Sequence, residues 1–108
     1  MPTTAEAPDL SADLEHQFSN LVAEWKGGRG FTSSTREMAR HPAYAAIIDL
    51  GRPVVPLLLR ELEQRPDHWF IALRTLTGAD PVLAEHRGQI NLMVTDWLSW
   101  GRTNGYRW

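Results

Sequence analysis

Hydrophobic residues along this chain recur every three or four positions, and nowhere do they alternate with polar ones over the length of a strand. Leu10, Leu14, Phe18, Leu21, Val22 and Trp25 fall within about 120° of a helical wheel, with Asp13, His16, Asn20 and Glu24 opposite. They predict an amphipathic helix over residues 9–26, stopped by Gly27, Gly28 and Gly30, since glycine takes the left-handed conformations of a helix end at little steric cost. Residues 1–8, with two prolines and two threonines, show no core pattern and are expected to be a flexible lead-in to one helical domain over 9–108.

Capping signals divide the rest. Ser34-Thr35-Arg36-Glu37 has the spacing of a capping box, and Ser11 is likewise read as a cap. His41 is the expected cap of a helix that Pro42 opens, with Tyr44, Ile47 and Ile48 on one face up to Gly51. Pro53 and Pro56 restart the chain, and Val55, Leu58, Leu59 and Leu62 form the buried stripe of the next helix, with Glu61 and Arg65 at i,i+4 spacing and Pro66 as the stop. Leu57 falls on the otherwise polar face of that helix. Asp67 is the expected N-cap of residues 68–76, which are apolar nearly all round and so predict a helix in the middle of the core, ended by Gly78. An irregular stretch over 79–88 follows. The last helix, 89–103, carries Ile90, Met93, Val94, Trp97, Leu98 and Trp100 on one face, and Asn104-Gly105 ends it. The expected fold class is all-α, a compact bundle of about five or six short helices.

Composition changes this picture only at the margins. With 108 residues, 43% hydrophobic and 22% charged, the chain has the make-up of one globular domain, and the absence of cysteine excludes disulfides, thiol nucleophiles and thiolate metal sites. The net charge is −2, with acids concentrated in residues 1–27 and arginines in 28–78, so there is no basic stripe of the kind a duplex binder carries. Ten of the eleven basic residues are arginine, the side chain suited to bidentate carboxylate contacts, which favours protein partners. The N-terminal segment lacks a signal-peptide pattern and no stretch has the length of a membrane span, so a cytoplasmic location without membrane association is expected.

Candidate chemistry is sparse. His16, His41, His68 and His86 show no spacing that puts two ligands on one helical face, and cap or surface roles account for the first three. His86 stands out because it lies in the irregular segment beside Glu85 and Arg87 and near Asp80. The Gly27-Gly28-Arg29-Gly30 run has no preceding strand and reads as a loop, not a phosphate cradle. The serines lie in no nucleophile elbow, and Glu61 and Glu63 diverge by about 200° on their helix. No catalytic residue, metal site or cofactor is expected. Among five tryptophans, Trp25 and Trp97 read as core; Trp69 and Trp100 read first as core and Trp108 as docked, the alternative being an exposed ring edge at Trp69 or Trp100 and an interface role for the tail of Tyr106, Arg107 and Trp108. The candidate protein-binding residues are Arg60, Trp69, Arg74 and Trp100.

Residues 47–62, Ile-Ile-Asp-Leu-Gly-Arg-Pro-Val-Val-Pro-Leu-Leu-Leu-Arg-Glu-Leu, resemble a HEAT-like repeat unit, in which a helix ends at a Leu-Gly turn and a proline-initiated helix packs back on it. More widely, the blocks His41-Pro42-Ala43-Tyr44, Pro56–Leu62, Arg65–Phe70, Leu76–Val82, Glu85–Gly88 and Trp97–Gly101 resemble a family of small bacterial proteins with no assigned activity, often encoded in two-gene arrangements of the toxin–antitoxin or effector–immunity kind. That resemblance implies a protein partner encoded by an adjacent gene and carries no site residues. The expected function is a non-enzymatic protein-binding module, antitoxin- or immunity-like. The alternative is a nucleic-acid-associated regulator using Arg52, Arg60, Arg65 and Arg74; a small metal-dependent or hydrolytic enzyme built on His86 comes third. Self-association is compatible with each.

Overall fold

The amphipathic N-terminal pattern becomes a long helix, α1 (Glu6–Gly28), in the computed structural model, which describes residues 6–28 and 34–108. α1 opens three residues before the expected start at residue 9 and runs through Gly27 and Gly28; residues 1–5 of the expected lead-in, and Arg29 and Gly30 of the glycine-rich loop, lie outside the described residues. Ser11 lies within the range of α1, and its side chain, read as a cap, lies outside what is described. The other α-helices are α2 (Thr35–Ala39), α3 (Pro42–Asp49), α4 (Val55–Gln64), α5 (Phe70–Thr77) and α6 (Ile90–Thr103), with 3₁₀ turns at Arg52–Val54 and Ala84–His86. Among the described residues there is no strand, and the fold is all-α. Among the described residues no single helix is long and apolar enough to cross a membrane.

The domain expected over 9–108 contains two compact units, divided between Asp49 and Leu50. In the N-terminal unit α3 packs on α1 and α2. Phe18, Val22, Trp25, Met38, Tyr44 and Ile47 are buried, and the Trp25 Nε1–H donates to the Met38 carbonyl at 2.7 Å while its ring tilts against Tyr44 at 5.4 Å. The caps read from the sequence form here: the Glu37 N–H donates to Ser34 Oγ, and the Ala43 N–H donates to His41 Nδ1 at 3.0 Å. His41 also approaches Gly28 so closely that a Cβ at residue 28 would collide with the imidazole.

The C-terminal unit begins at a turn for which Gly51, at φ +84°, supplies the left-handed backbone. α4 then presents Val55, Leu58, Leu59 and Leu62 to the core, all without exposed surface, and packs on both α5 and α6. Leu57, off that stripe, is half-buried. Glu61 is buried as well, its carboxylate covered by a bidentate contact from Arg65 at 3.0 and 3.1 Å. That hydrogen bond, with the carboxylate's charge, holds the Arg65 guanidinium more firmly protonated than usual.

The start of α5 differs from the pattern. Its first helical residue is Phe70, preceded by Trp69, and Asp67 accepts instead from the His68 N–H at 2.8 Å, so the expected cap three residues upstream opens a turn. α5 is also less central than its apolar wheel implies, because Arg74 and Thr75 are exposed. Its C-terminus follows expectation, with Gly78 at φ +73° and its N–H on the Arg74 carbonyl at 2.8 Å.

Candidate interaction site

Between α5 and α6 the chain makes an irregular strap over residues 79–88, and a single carboxylate ties it down. Leu83 is extended, and its N–H donates to Asp96 Oδ2 on α6 at 3.1 Å. The same oxygen lies 2.7 Å from His86 Nδ1, in the 3₁₀ turn that follows. Burial pushes the Asp96 carboxyl upward, but the hydrogen bonds from His86 and from the Leu83 N–H, together with the imidazole's charge, outweigh it and hold the group below the usual carboxylate range. Arg87 Nη2 donates to Asp80 Oδ2 at 3.0 Å within the strap. His86 therefore pairs with Asp96, and its sequence neighbour Asp80 pairs with Arg87.

The side chains of residues 81–83 are divided between two sides of the strap. Pro81 and Leu83 line an open groove of about 320 Å³ with Asp96, Ser99, Trp100, Thr103 and Asn104 of α6 and its C-terminal cap. Val82 lines a smaller, more enclosed cavity of about 150 Å³ with Phe70, Arg74, Asp80, Arg87, Met93 and Trp97. Leu83 is 50% exposed, the largest exposure among the bulky apolar residues described.

Trp100 sits half-buried in the groove and is braced on two sides. Trp97 meets it edge-to-face at 5.4 Å, and Tyr106 stacks on it at 5.5 Å with the planes 29° apart. Tyr106 is brought back by a Schellman turn: its N–H donates to the Gly101 carbonyl and the Gly105 N–H to the Arg102 carbonyl, with Gly105 at φ +84°. The tail then docks instead of extending. Trp108 Nε1 donates to Glu63 Oε1 at 2.9 Å, Arg102 donates to Glu63 Oε2 at 3.0 Å, and the Arg102 guanidinium lies 5.1 Å from the Trp108 ring centroid.

The residues singled out from sequence are not brought together as one face. Trp100 lines the groove and Arg74 the adjoining cavity; Arg60 is half-buried on α4. Trp69 is wholly buried, as its core reading expects, and so offers no ring edge to a partner: standing just before the first turn of α5, it places its indole in the core. Of the arginines considered for nucleic acid, Arg52 and Arg74 are exposed, whereas Arg65 is committed to Glu61. His16 is exposed, and among the described residues no three of His, Asp and Glu converge as a metal site. Sequence reading missed Leu83, Asp96 and the stacking role of Tyr106. The available signal for Leu83 was a bulky apolar residue in a strap where polar turn residues are usual.

No family model matches this chain, and comparisons with curated proteins and with solved structures give no match.

Proposed function

We propose that the chain is a protein-binding module, and that the groove between the 81–83 strap and α6 receives an apolar side chain of the partner. The observation that carries this reading is the juxtaposition of Leu83, half in solvent, with a Trp100 braced by Trp97 and Tyr106. Aromatic anchors held rigidly before binding lose little conformational entropy on association and make up most interface hot spots. The Asp96 contacts to Leu83 and His86 serve the same end, since they fix the apolar wall of the groove. They also engage the imidazole in holding structure, which favours a binding role over catalysis for His86. The partner in this reading is the product of an adjacent gene, as the resemblance to small bacterial two-gene systems implies, and the role is antitoxin- or immunity-like.

The test is affinity between the purified chain and the adjacent gene's product. Leu83→Asp and Trp100→Ala should each weaken binding by about tenfold or more, as expected of hot-spot residues, with helicity by circular dichroism unchanged. Arg52→Ala, on the exposed 3₁₀ turn before α4, should leave affinity as it was. Unaltered binding by Leu83→Asp overturns the groove, and no binding by the wild type overturns the partner.

A further inference from the structure

On the other side of the strap from the groove, the smaller cavity combines an apolar floor with an excess of positive charge. Phe70, Val82 and Trp97 are buried there and Met93 is half-buried. Two guanidiniums, Arg74 and Arg87, stand against one carboxylate, Asp80, which leaves one net positive charge. Arg87 uses one nitrogen on Asp80, so the rest of its five-donor fork remains available, and Arg74 makes no side-chain hydrogen bond or ion pair among the described residues. The Trp97 Nε1–H is buried with no hydrogen-bond partner among the described residues.

We propose that this cavity binds a small organic acid, a carboxylate on a ring-sized apolar body, with the carboxylate received by Arg74 and Arg87 and the body seated on Phe70, Val82, Met93 and Trp97. The volume sets the size of the ligand: at about 150 Å³ the space matches that which accommodates one benzene ring in an apolar protein interior. Arginine sets its charge and shape, because a planar fork pairs in two-point fashion with a carboxylate. Asp80 orients Arg87 and disfavours ligands carrying two anionic groups at that end. The cavity is bordered by Val82 and the groove by Pro81 and Leu83, so this inference stands independently of the protein-binding reading.

Benzoate is the probe, with benzamide as its neutral isostere and N-acetylphenylalanine as a carboxylate on a peptide stub. Binding to the full chain is followed by NMR at the Trp97 Nε1–H and at the arginine side chains. Benzoate should give saturable shifts at these groups and bind about tenfold or more tightly than benzamide, the usual ratio for loss of a charged hydrogen-bond partner. Arg74→Met should remove that preference, whereas Arg107→Met, in the tail, should keep it. Absence of saturable shifts up to about 10 mM benzoate, a range already weak for a specific site, overturns the proposal. So does equal binding of benzamide, a comparison made on the wild-type chain that needs no variant to fold. Tighter binding of N-acetylphenylalanine than of benzoate overturns the ring-sized ligand that the cavity volume sets and points to the carboxylate of a chain terminus.

Discussion

His86 Nδ1 lies 2.7 Å from Asp96 Oδ2, and that one oxygen also accepts the Leu83 N–H, so a ten-residue strap is joined to α6 through a single carboxylate. Asp96→Asn keeps the shape and removes the charge that strengthens both contacts. The variant should be less stable by about 1–2 kcal/mol, measured by urea denaturation, and amide exchange at Leu83 and His86 should accelerate well beyond any change in α4.

The same pair sets an acid dependence. The folded-state pKa of Asp96 is depressed, so its contribution is complete above the unfolded value of about 3.9 and is lost as pH falls through the lower folded value. Wild type and Asp96→Asn should therefore differ in stability at neutral pH and converge below about pH 4. Denaturation curves collected from pH 7 to pH 3 check this; a gap that stays constant across the range removes Asp96 as its source.

In the N-terminal unit the indole of Trp25 does two jobs, filling the space beside Tyr44 and donating to the Met38 carbonyl. Trp25→Phe removes the donor and part of the ring. The expected cost is about 2 kcal/mol, from one lost hydrogen bond and a partly filled void, seen as a lower midpoint in urea with no change in helix content below the transition.

How much of this was readable beforehand depended on whether the signal was local. Gly78, Pro42 and the Val55–Leu62 stripe act through their own backbone or their own helix, and each did what its position requires. Trp25 and Trp97, centred in apolar stripes, are core residues. Asp67 was misjudged because an aspartate also satisfies the first N–H of a turn, and burial of Trp69 decides where α5 can begin. The site was harder still. His86 had three acidic or basic neighbours nearby in sequence, and only the path of the strap over α6 selects Asp96 from the polar face of a different helix. Likewise Tyr106 was legible as a residue beyond a glycine stop, but its stacking on Trp100 follows from the Schellman turn that reverses the tail.

That reversed tail depends on the small size of Gly101. A Cβ built there would lie 2.8 Å from Leu59 Cδ1 and 3.0 Å from Trp108 Cζ3, so α6 approaches α4 and the terminal indole at a point where only hydrogen fits. Alanine at 101 has the better helix propensity and would stabilise an exposed helix by about 1 kcal/mol, but here two neighbours must move at once. Leu59 is wholly buried and cannot retreat, whereas Trp108 is held by Glu63 and Arg102 at the surface and can. Gly101→Ala should therefore release Trp108 before it disturbs the core. Its indole Nε1 signal should move toward that of a solvent-exposed tryptophan while Trp97 stays in place, and Glu63→Gln, which weakens the same dock without touching the α4–α6 approach, should shift Trp108 in the same direction by a smaller amount.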